Sequence, residues 1–221
     1  MLDGRTLYKD GSWNTICLPF NLDIAGSLLD GDGVTLMTLD GTTSNYSAGT
    51  LTLNFTTADA IQAGKPYIIK WNNTGADIVN PRFIGVTLDA TSPAAVATSD
   101  NAAQFVATYS PVVIDDASGD NTKLYISTDN NIYWPNAAMT IGSQRAYFQL
   151  QGTLTAGDAD TSAGIRAINL NFDGTETLTA IDAVENGKSA NGKSIYNLNG
   201  QQLSAPQRGI NIVDGKKVFV K

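Results

Sequence analysis

Hydrophobic and polar residues alternate with a period of two through most of this chain. Leu51, Leu53 and Phe55 alternate with Thr52 and Asn54. Tyr67, Ile69 and Trp71 alternate with Ile68 and Lys70, and Ala146, Phe148 and Leu150 with Tyr147 and Gln149. Ile168, Leu170 and Phe172 alternate with Asn169 and Asn171. That period is the mark of a β-strand with one face buried. Shorter apolar runs at 13–20, 34–39, 83–88, 104–109 and 123–127 add further strands. Between them lie turn-forming clusters: Asp30-Gly31-Asp32-Gly33, Asp40-Gly41, Asn72-Asn73-Thr74-Gly75, the stretch 115–121 and Asp129-Asn130-Asn131. One segment, 57–64, carries a helical pattern of one or two turns, with Gly64 as its C-terminal cap. Many short strands separated by turns predict an all-β fold. We expect an antiparallel β-sandwich, jelly-roll or immunoglobulin-like, with one face of each sheet in water.

The pattern changes late in the chain. Residues 186–193 are polar and glycine-rich, as a linker or exposed loop is. Two hairpin signatures follow: Ser194–Leu198, Asn199-Gly200, Gln201–Leu203; and Ile210–Val213, Asp214-Gly215, Lys216–Val220. Asn-Gly and Asp-Gly supply the positive φ angles of two-residue hairpin turns. The expected organisation is a body over 1–175, a linker over 176–193 and a small β-hairpin subdomain over 194–221.

Composition narrows the chemistry. Of 221 residues, none is histidine, and the only glutamates are Glu176 and Glu185. A Ser-His-Asp or Cys-His constellation is therefore excluded, as is a histidine-bearing zinc site. Carboxylate chemistry before Glu176 would fall to aspartates alone, and those sit mostly beside glycine or asparagine in turns. The expectation is a protein that is not an enzyme, with an aspartate-based glycoside hydrolase as the catalytic alternative. Cys17, the single cysteine, has no base to activate it and reads as a buried apolar residue. The net charge of −7, with no basic cluster in the body, argues against nucleic acid as a partner. No segment is long and apolar enough to span a membrane as a helix. Met1–Arg5 lacks the apolar core of a signal peptide, so a secreted chain would here be a fragment with an added start.

Gly64-Lys65-Pro66 lacks the glycine spacing and hydroxyl of a phosphate-binding loop. Gly31-Asp32-Gly33 lacks the final acid of an EF-hand, since Gly41 stands there. Asp115, Asp116 and Asp120 offer oxygens for calcium, but a solvated Asp-rich turn is the preferred account of them. The better lead is aromatic. Tyr133 and Trp134 follow the polar Asn131, and Trp71 precedes Asn72, so each pairs a ring with an amide at a strand end. Sugar rings stack their CH faces on such rings while amides bond the hydroxyls. Burial in the core or its rim accounts for the same tryptophans.

The tail carries the most specific pattern. Tyr196-Asn197-Leu198-Asn199-Gly200-Gln201, Pro206, Gly209-Ile210-Asn211-Ile212 and Gly215-Lys216-Lys217-Val218 resemble the C-terminal domain read as a sorting signal by type IX secretion in Bacteroidetes. Asn211 stands where that family has an aromatic. The resemblance implies a small β-sandwich used for export and surface attachment. In the body, 11–20 and 63–71 resemble segments of Bacteroidetes surface proteins, where such modules follow leucine-rich repeats or carbohydrate-active domains. Together these imply a secreted, outer-surface module for attachment or adhesion. Its partners would be a polysaccharide or cell-surface glycan and the upstream domains of its parent protein.

Overall fold

Leu51, Leu53 and Phe55 face one way from the strand Thr50–Thr57 and set the position of the main core. This computed structural model describes residues 1–72, 75–114, 120–135, 137–156 and 164–172 with their side chains. Beyond these it describes the backbone of the strands Thr175–Ala180, Ile195–Tyr196, Gln202–Leu203, Gly209–Val213 and Lys216–Val220. The described residues are all-β, with no helix among them. The chain divides into two units, Met1–Ile181 and Asp182–Lys221.

The first unit holds two principal sheets. The larger, seven-stranded one runs Asn14–Ile16, Tyr67–Lys70, Thr35–Leu39, Thr50–Thr57, Ala167–Phe172 and Thr175–Ala180, with Asn45–Ser47 also on Thr50–Thr57. The smaller, five-stranded one runs Ala95–Ala97, Ala103–Thr108, Arg145–Leu150, Lys123–Ile126 and Ile132–Tyr133. Their facing side chains make one core: Leu51, Leu53, Phe55, Ile168 and Leu170 from the larger sheet, and Phe105, Leu124, Ile132 and Phe148 from the smaller. The rings of Phe55 and Phe105 meet edge-to-face across the gap at 5.9 Å. This is sandwich packing, with each strand's alternate residues turned inward.

Part of the larger sheet, over Asn14–Ile16, Tyr67–Lys70 and Thr35–Leu39, is covered on its other face as well. Ile16, Leu36, Tyr67, Ile69 and Trp71 point away from the sandwich into a second core, filled by Leu7, Leu18, Phe20, Ile24, Leu29 and Ile61 from the connecting segments. Tyr67–Lys70 therefore buries both of its faces: Ile68 enters the first core while Tyr67 and Ile69 enter the second. That explains a strand with almost no polar residue.

Three expectations change. Thr57–Gly64 is not helical: Ala60–Ile61 pairs with Leu22–Asp23, and Ile61 is fully buried. That tertiary pairing outweighs a weak local helical preference. Gly64 does adopt positive φ (+77°), but in a turn where a Cβ would lie 2.7 Å from the Ser92 carbonyl oxygen. The run 83–88 forms no strand. Phe83 packs on Phe20 while Ile84 and Leu88 are 82% and 73% exposed, so the run has no alternating buried face. The pairings are antiparallel as expected except in two places: Ala167–Phe172 lies parallel to Thr50–Thr57, and Thr155–Ala156 lies parallel to Gly164–Ile165. Finally, Thr175–Ala180 pairs along Ala167–Phe172, which carries the first unit past residue 175.

The second unit contains a four-stranded sheet in the order Gln202–Leu203, Ile195–Tyr196, Gly209–Val213, Lys216–Val220. Val213 pairs with Lys216, leaving two residues between the strands, the hairpin spacing that Asp214-Gly215 announces. The other turn signature, Asn199-Gly200, lies in the five-residue interval closed by Tyr196 and Gln202.

Candidate functional site

The hairpin Lys123–Ile126 and Ile132–Tyr133 forms one edge of the smaller sheet. Leu124 and Ile132 point into the core and Ile126 packs on it, so the intervening Tyr125 and Tyr133 point outward. They are cross-strand partners, with ring centroids 6.3 Å apart and planes inclined by 35°. Tyr133 is 42% exposed. On the next strand Phe148 points inward and pairs with Leu124. Its neighbour Tyr147 is therefore on the outer face, opposite Val106. Gln149 and Gln104, likewise opposite each other, flank the aromatics on that face.

The turn beneath Tyr133 is held by a dense bond set. Ser127 N–H donates to the Asn131 carbonyl at 2.9 Å. Asp129 accepts from the Asn131 backbone N–H, from its amide at 3.0 Å and from the Tyr133 hydroxyl at 2.7 Å. The Tyr133 and Asn131 bonds hold the Asp129 carboxyl below its ordinary range, and the same contact pushes the Tyr133 phenol up. Tyr133 thus stays a neutral donor. Asn130 takes a left-handed conformation (φ 64°), which asparagine tolerates. Its amide oxygen accepts from Trp13 N–H at 2.7 Å and its amide nitrogen donates to the Gly11 carbonyl. The turn is thereby tied to the start of the larger sheet.

Of the residues singled out in sequence, Tyr133 and Asn131 meet here. Trp134 is half-buried against the first core. Trp71 is displaced from any surface role: it is 1% exposed in the second core, and its indole N–H donates to the Leu29 carbonyl at 2.9 Å. Both sheets separate it from Tyr133. The reason is the second covering layer, which turns a strand-end tryptophan into a core residue. Asn72 is exposed, with its amide packed where a Cβ on Gly33 would stand. Tyr125 and Tyr147 were missed, although the alternation with Leu124 and Phe148 marks both as outward-facing.

Asp120 is occupied locally. It accepts from the Thr122 N–H and hydroxyl and pairs with Lys123. Burial pushes its carboxyl up, but the Lys123 and Thr122 bonds outweigh that and hold it at about 2. Asp115 and Asp116 lie outside the described residues. Among the described residues no three acidic or thiol groups are clustered to hold a metal. Cys17 is fully buried, which pushes its thiol up to about 12 and keeps it from acting as a thiolate.

A cleft of about 540 Å³ opens elsewhere, lined by Thr38, Asp59, Gln62, Lys65, Tyr67 and Val96 among others. The Tyr67 hydroxyl accepts from Gln62 N–H inside it. Asp59 is the one carboxylate among the described residues that line it. Comparison with protein-family models, curated proteins and solved structures finds no match to this chain.

Proposed function

We propose that this chain is a non-catalytic attachment module of a secreted bacterial surface protein, and that it attaches by binding carbohydrate on the Tyr125–Tyr133 face. The observation that carries this reading is the tyrosine pair beside the Asp129–Asn131 bond set. Two rings on one sheet face offer apolar area to the CH faces of consecutive sugars. Asp129, Asn131 and the two glutamines supply hydroxyl partners at its margin. The bond from Tyr133 to Asp129 fixes one ring in advance, which lowers the ordering cost of binding.

A glycan array followed by calorimetry on the best hit tests this. Tyr133→Ala and Tyr125→Ala are each expected to weaken binding about tenfold, the loss of one stacked ring. Tyr133→Phe is expected to retain most of the affinity. Absence of any glycan hit, or unchanged affinity in both alanine variants, would sink the carbohydrate reading.

The tail serves export or anchoring in this reading, supported by its resemblance to sorting domains and by its paired hairpins. Deleting residues 194–221 from the full-length parent is expected to abolish surface display. Undiminished display, measured by protease shaving of whole cells, would count against it.

A further inference from the structure

Arg5 is 4% exposed, a burial that arginine rarely reaches without a partner. One nitrogen, Nη2, donates to the Thr15 carbonyl at 2.6 Å. Its Nε and Nη1 are buried with no acceptor. Thr15 sits in Asn14–Ile16, the edge strand of the larger sheet, and the adjoining Cys17 N–H donates to the Gln144 carbonyl. That bond brings Arg145, at the start of Arg145–Leu150, to the same corner. Arg145 is half-buried, and no carboxylate pairs with either arginine among the described residues. Tyr8 completes the corner. It is 45% exposed, and its backbone is clasped by the Asn14 amide, which accepts from Tyr8 N–H and donates to its carbonyl.

The electrostatics agree with this grouping. Burial, followed by the charge of Arg145, lowers the pKa of Arg5, while Tyr8 acts in the opposite sense on both arginines. A guanidinium nonetheless remains protonated at neutral pH. Two cations in one corner, with the Nε and Nη1 groups of Arg5 buried and unbonded, oppose folding unless a negative group joins them. The chain as a whole carries −7, so no general field draws anions to it. Any attraction there is local and structural.

We infer that Arg5, Arg145 and Tyr8 form a binding site for a small oxyanion, the guanidinium groups supplying charge and Tyr8 a hydroxyl donor at the solvent side. Tetrahedral anions and carboxylates share the chemistry required: paired oxygens that accept from planar guanidinium N–H groups. The oxyanion can come from solution or from the carboxylate of a polypeptide segment, and separate titrations distinguish the two.

The test is NMR detection of arginine Nε–H resonances in the full chain, in chloride-poor buffer, titrated with sulfate and separately with acetate. The Arg5 signal is assigned by its loss in Arg5→Lys, or by its sensitivity to Arg145→Gln where the lysine variant does not fold. A saturable shift is expected, weakened about tenfold by Arg145→Gln and by a smaller factor in Tyr8→Phe. Tighter saturation by sulfate assigns the site to a free tetrahedral anion; tighter saturation by acetate assigns it to a carboxylate. A shift that is absent, that grows linearly with salt, or that is unchanged in both Arg145→Gln and Tyr8→Phe overturns the inference.

Discussion

Phe55→Ala is expected to lower the free energy of unfolding by about 3–5 kcal/mol, measured by urea denaturation followed by circular dichroism. Phe55 is 3% exposed and stands where the two sheets meet. Its ring lies 5.9 Å from Phe105, 6.3 Å from Phe148 and 5.6 Å from Phe172. Phe105 and Phe148 are themselves stacked at 4.7 Å, so they cannot both move into the space left by Phe55 without separating. The cavity would persist, and its cost adds to the lost transfer energy. Such a loss is a large share of the stability of a domain, about 5–15 kcal/mol. A cost below about 1 kcal/mol would mean that the sheets do not pack through this ring.

Trp71→Ala is expected to cost about as much, again about 3–5 kcal/mol, although Trp71 lies in the other core. The variant loses a fully buried indole and leaves the Leu29 carbonyl without its donor. Trp71→Phe separates the two contributions. It keeps most of the apolar area, and its expected cost of about 1–3 kcal/mol reflects the unpaired carbonyl and the smaller ring. Both variants are expected to leave glycan affinity unchanged wherever they remain folded, because two sheets stand between Trp71 and Tyr133. A selective loss of binding in Trp71→Phe, with stability intact, would return Trp71 to the binding surface.

These two residues show how far the sequence is legible. The period-two alternation identifies the inward residues of Thr50–Thr57 and Arg145–Leu150 and the outward place of Tyr147, because one face against water leaves a plain signature. It does not reveal that part of the larger sheet has a second cover. Trp71 and Tyr133 look alike in sequence, each aromatic near a strand end beside polar residues. Only the packing of Leu7, Leu18 and Leu29 over one of them tells them apart. The segment 57–64 failed for a related reason: its partner Leu22–Asp23 is distant in the chain, and local preference contains no trace of it. The Asn-Gly and Asp-Gly signals fall in the intervals between paired strands, because turn chemistry is local. The tyrosine pair lay between these cases. Alternation shows that Tyr125 faces outward, but only the register Tyr125–Tyr133 sets the rings side by side.

The parallel pairing of Thr50–Thr57 with Ala167–Phe172 sets an order on the birth of this fold. One side of Thr50–Thr57 is filled by Thr35–Leu39 and Asn45–Ser47, which emerge from the ribosome with it. The other side waits for Ala167–Phe172, and the whole five-stranded sheet lies in the chain between. A nascent or partly threaded polypeptide therefore holds an open inner edge until residue 172 has been delivered. Such an edge invites pairing with other chains. Closure of so long a loop is slow, and its stabilising contacts come only at the end. A carrier that keeps the chain extended until its last third has arrived would suit this topology better than one that releases it piecemeal.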